Sequence, residues 1–95
     1  MRLDKQERKA LKNSLQNIEG EFFLFGSRLC DDRKGGDIDL LVFAQGSPYR
    51  ISQEIAVSFF KECEEKIDVV VMDKSNLTEQ QEAFIKTIKI EPLVL

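Results

Sequence analysis

Residues 22–43 read FFLFGSRLCDDRKGGDIDLLVF, two apolar runs on either side of a polar loop punctuated by glycines. Both runs, Phe22–Phe25 and Asp37–Phe43, predict buried strands, and residues 26–36 predict the connection between them. The second run opens with Asp37-Ile38-Asp39. On a strand, side chains two residues apart share a face, so both carboxylates point one way while Ile38 and Leu40 point the other. Their Cα atoms then lie roughly 6.6 Å apart, close enough for both side chains to lean onto one cation. Without a cation, two like charges on an apolar strand repel each other and are poorly solvated. A plain solvated strand would stay polar along that face, yet it turns apolar at Leu41 and Phe43. The chain therefore places an acidic site where a simple core strand would cost less.

The remaining elements follow from periodicity and capping. Leu3, Ala10, Leu11, Leu15 and Ile18 recur at helical spacing over residues 3–19, with Gly20 placed to close that helix as a left-handed residue. Ser47 and Pro48 predict the start of a second helix, as N-cap and first helical residue. Its apolar face is Ile51, Ile55, Ala56, Phe59, Phe60 and Cys63. Ile67–Met72, rich in β-branched residues, predicts a third strand. Thr78 and Gln81 fit a capping box for a last helix, with Phe84 and Ile88 on its buried side and Pro92 beyond its end. The expected fold class is α/β (α+β): one domain over 1–95, with a small mixed three-stranded sheet, helices packed on one face and the other face open for a site.

Composition narrows the chemistry. At 95 residues, 42% apolar and 33% charged, the chain is of a size for one core. The first residues, MRLDKQERKALK, carry no secretory apolar region, and no apolar run reaches the roughly 20 residues of a membrane helix, so a cytoplasmic protein is expected. A net charge of −3 argues against nucleic-acid binding. Cys30 and Cys63 lack zinc spacing and are expected as free thiols. The sequence has no histidine, which removes Ser-His and Cys-His nucleophiles and histidine-bound metals together. Carboxylates, hydroxyls, amines, backbone amides and a hard metal remain.

Asp68, inside the third strand, extends the acidic pattern. If that strand neighbours the second, Asp68 lies beside Asp37 and Asp39, and three carboxylates suit Mg²⁺ with sites left for water and phosphate. A third carboxylate without a metal to hold could instead take a proton from an attacking hydroxyl. Gly26-Ser27 follows a strand, where glycine lets the backbone turn sharply and a helical turn's free N–H groups could hold a phosphate. No Gly-Lys-Ser/Thr follows, so this is not a Walker A loop. Arg28 adds positive charge here, whereas Arg33 and Lys34 read better as partners of Asp31 and Asp32, and Cys30 as an inert thiol.

Phe25-Gly26-Ser27, a nine-residue gap, Asp37-Ile38-Asp39-Leu40 and the later strand residue Asp68 together resemble the DNA polymerase β-type nucleotidyltransferases. The likeness is strongest to the minimal nucleotidyltransferase (MNT) domains, and it covers nearly the whole chain. It implies that Gly26, Ser27 and Arg28 bind the nucleotide, and that Asp37, Asp39 and Asp68 hold Mg²⁺ and form the catalytic triad. ATP would be the substrate. Two positions depart from the commoner pattern: Arg28 is followed by Leu29-Cys30, and Gly36 stands where many relatives have serine before the first Asp. Such domains are typically encoded beside a helical HEPN-domain protein, the pair being similar to a toxin–antitoxin module. The resemblance therefore implies an antitoxin that adds AMP to a partner hydroxyl, or one that neutralises its partner by binding alone. Modification of a small molecule is disfavoured, since 95 residues leave no room for an acceptor domain. Self-association stays open.

Overall fold

The computed structural model describes residues 3–26 and 38–93. Its elements run α1 (Lys5–Leu15), β1 (Glu21–Phe25), β2 (Ile38–Phe43), α2 (Pro48–Cys63), β3 (Ile67–Met72), α3 (Glu79–Thr87) and β4 (Ile90–Pro92). The architecture is mixed α/β, as expected, but the sheet has four strands instead of three, in the order β3-β2-β1-β4. The added strand was hidden because Pro92 removes a ladder donor. Such a residue is tolerated at a sheet edge, which is where β4 pairs antiparallel with β1.

β1 and β2 are antiparallel, whereas β2 and β3 run parallel and are joined through α2, because parallel neighbours need a crossover. Alternation along β2 then sorts the core into two layers. Ile38, Leu40 and Val42 are fully buried beneath α1 and α2, together with Leu24, Leu11, Ile55 and Phe59. Leu41, Phe43 and Met72 face the opposite side, where Phe23, Phe25 and the α3 residues Phe84 and Ile85 pack on them. Phe25 and Phe84 meet edge to face at 5.7 Å. Two helices thus share one face of the sheet, and α3 covers part of the other, leaving the acidic end of that face outside this cluster.

The caps expected for α2 and α3 are present. The Ser47 side chain accepts from the Arg50 N–H, and Thr78 and Gln81 form a reciprocal capping box. Helix α1 is shorter than its apolar spacing suggested. It opens on a box made by Asp4 and Glu7 and ends at Leu15, with Gln16 still right-handed. Gly20 is therefore not the left-handed cap. A Cβ there would sit 2.5 Å from the Phe43 carbonyl oxygen, so the residue is needed for a close approach of the chain to the end of β2.

Candidate active site

The site is built from the first residues of β2 and β3 and the last of β1. In the parallel register Asp39 pairs with Asp68, Leu41 with Val70 and Phe43 with Met72. Paired residues on parallel strands share a face, and adjacent strands lie about 4.8 Å apart, so the Asp39 and Asp68 side chains emerge side by side. The neighbour relation that the third carboxylate required is met. Asp68 is exposed and Asp39 half-buried. β2 holds this position firmly because Ile38 and Leu40, on either side of Asp39, are fully buried on the opposite face. A slip of one residue would exchange the carboxylate for a core leucine.

Gly26 completes the arrangement. Phe25 pairs with Asp39 across the antiparallel ladder, and the next residue, Gly26, turns away with φ +80°. A side chain in that left-handed conformation is strained, and a Cβ would collide with the Asp39 carboxylate. The glycine is thus required twice, once for the turn and once to leave room for Asp39. Asp37, Ser27 and Arg28, with Cys30, Arg33, Lys34 and Gly36, lie outside the described residues.

A second acidic group went unnoticed in the sequence. Asp4, Glu7 and Glu65 bring carboxylate oxygens within 4.8 Å of one another, an arrangement able to hold a cation. Capping already accounts for two of them: the Glu7 N–H donates to Asp4 Oδ1 at 2.7 Å, and the Asp4 N–H to Glu7 Oε1 at 3.1 Å. Helix α1 packs on the other face of the sheet from Asp39 and Asp68. The pattern Asp-x-x-Glu before an apolar run is the signal that would have found this box. Nearby Cys63 is a free, buried thiol. Burial pushes its pKa up, and the charges of Glu65, Glu7 and Asp4 add to that, so it is kept protonated and unreactive.

The Asp39–Asp68 pair offers only hard oxygen donors on two rigid strands, which suits Mg²⁺ and not a softer metal. No helix among the described residues is long and apolar enough to cross a membrane. No curated protein matches the chain. The model of the nucleotidyltransferase domain family, however, matches residues 4–94, nearly the whole sequence. A mixed sheet with paired strand carboxylates beside a glycine turn is consistent with that match, and the chain belongs to the nucleotidyltransferase domain family.

Proposed function

We propose that this chain is a Mg²⁺-dependent nucleotidyltransferase that moves AMP from ATP onto a hydroxyl of a partner protein. In that reading it is the antitoxin of an MNT/HEPN-type pair, with the HEPN-type helical protein encoded next door as acceptor. The observation that carries the reaction class is the in-register pairing of Asp39 with Asp68, next to a Gly26 turn that makes room for the Asp39 carboxylate. Asp37 joins Asp39 in holding the metal, Asp68 completes the triad as a further ligand or as the base, and Gly26, Ser27 and Arg28 receive the phosphates. Bound Mg²⁺ would offset the charge of the phosphates in the transition state.

In the transfer, the acceptor oxygen forms a bond to the α-phosphorus while the bond from that phosphorus to the pyrophosphate oxygen breaks. The acceptor proton passes to a carboxylate, a role that its greater exposure favours for Asp68 over Asp39. Asp39 is held by the buried β2 backbone and orients rather than reacts.

The test is transfer of α-labelled ATP to the co-expressed neighbouring protein, alongside rescue of growth from that protein's toxicity. Replacing both Asp37→Asn and Asp39→Asn preserves side-chain size and removes two charges. Metal stabilisation contributes several kcal/mol to such a transition state, so labelling should fall about a thousandfold or more. The departures at Leu29, Cys30 and Gly36 favour a second reading, neutralisation by binding alone. Rescue undiminished in the double variant would establish that second reading and end the first.

A further inference from the structure

The exposed side of α2 mixes Arg50, Gln53, Glu54, Lys61 and Glu62 with three large apolar side chains. Tyr49, Val57 and Phe60 are 75%, 49% and 50% exposed. Val57 and Phe60, with Ala56 and Lys61, form one wall of a groove of about 330 Å³, and Lys66, Ile67 and Asp68 form the other. β3 is the outermost strand of the sheet, so no further described strand closes this groove. Aromatic and aliphatic side chains gathered in an exposed groove mark a docking surface.

Charge indicates what docks. Lys61 and Lys66 both line the groove, and among the described residues neither has an ion-pair partner. The lining sets two lysines against the single carboxylate of Asp68, so its excess charge is positive and its apolar floor complements a bulky apolar anchor held between carboxylates. A second copy of this chain is a poor occupant. A two-fold contact centred on the groove would set Lys61 and Lys66 against the same lysines of the partner copy. Two lysines on a chain of net charge −3 also fall short of a nucleic-acid tract. Asp68, the residue paired with Asp39, is one of those lining the groove at the β3 edge.

We infer that the groove between α2 and the outer edge of β3 docks an acidic, apolar-anchored segment of the acceptor protein and sets its hydroxyl beside Asp68. The placement of the hydroxyl rests on the nucleotidyl-transfer reading above; the docking itself stands on the apolar floor and the two lysines.

Fluorophore-labelled synthetic peptides test the inference, one set with a central Leu or Phe flanked by Glu and a matched set flanked by Lys. Fluorescence anisotropy should show the full chain binding the Glu set and ignoring the Lys set. Phe60→Ser should weaken binding about tenfold or more, as expected for a buried aromatic anchor. Lys61→Glu with Lys66→Glu should reverse the preference towards the Lys set. All three positions are on the surface, so circular dichroism should show unchanged folding, and the charge reversal is a gain of binding that misfolding cannot imitate. Equal binding of both sets, or an unreversed preference, overturns the inference. So does a wild-type dimer that Phe60→Ser dissociates in sedimentation equilibrium, which would assign the groove to a second copy. The two readings fail separately. Peptide binding as expected without any AMP transfer defeats the catalytic reading and leaves the docking surface standing. AMP transfer unaffected by Phe60→Ser and by the lysine reversals defeats the docking.

Discussion

One face of the sheet is two regions in sequence along the same strands. Towards the ends of β2 and β3, Leu41, Phe43 and Met72 are buried and carry Phe23, Phe25 and Phe84 against them. At the beginnings of the same strands, Asp39 and Asp68 stand side by side on that face, one half-buried and one exposed. The backbone ladder is continuous through both regions, so geometry does not separate them. Side-chain chemistry does: the apolar half lowers its free energy by excluding water, and the acidic half gains nothing from being covered. Two like charges set opposite each other on neighbouring strands repel, and a shared cation would relieve that repulsion. The contrast separates residues that hold the fold from those the fold positions for function.

Leu41→Ala should break the apolar half. Leu41 is fully buried, and such truncations cost about 2–5 kcal/mol through lost burial and the cavity left behind. Urea unfolding should show that loss, while the rise in melting temperature produced by Mg²⁺ with ATP should persist. Gly26→Ala tests the junction between the halves. The left-handed backbone alone should cost about 1–2 kcal/mol, and the displaced Asp39 carboxylate should remove most of the metal-dependent stabilisation as well. A Gly26→Ala variant that keeps its full Mg²⁺ response would dissociate the glycine from the site.

In the acidic half the sign should reverse. Asp68→Asn removes one of two like charges directly opposite each other on neighbouring strands, and such pairs are worth about 0.2–1 kcal/mol. Stability in metal-free buffer should hold or rise slightly, with the response to Mg²⁺ and ATP lost. Calorimetry that finds this variant markedly less stable would make Asp68 a structural residue. The smallest effect belongs to Lys74, beyond the end of β3, which pairs with Glu21 at 3.2 Å and lies 5.7 Å from the centre of the Phe43 ring. Both partners of the ion pair are largely exposed, so Lys74→Ala should cost less than about 1 kcal/mol and should diminish further in high salt.

Much of this arrangement is written locally. Alternation in IDLLVF dictates two layers around β2, and Ser47-Pro48 and Thr78-x-x-Gln81 dictate where two helices begin, because capping acts over one turn. Gly26 was legible for the same reason, as a glycine directly after an apolar strand. The fourth strand was not legible, since Ile90–Pro92 acquires its conformation only by pairing with β1, and three residues carry no periodicity of their own. Nor was the true duty of Gly20, which depends on a carbonyl more than twenty residues away in the chain.

By itself, the sequence determined which residues are acidic, which runs are apolar and how each run alternates. Those are properties of covalent order and of a two-residue period. Only the tertiary structure decided that Asp39 meets Asp68 and not a hydrophobic neighbour, because register across β2 and β3 is a joint outcome of burying Ile38, Leu40 and Val42 on one face and Leu41 on the other. It also decided that Phe60, placed by its spacing on the apolar side of α2, stays half exposed next to Lys61 and Lys66. The sheet ends at β3, and there is no further strand among the described residues for that side of the helix to cover.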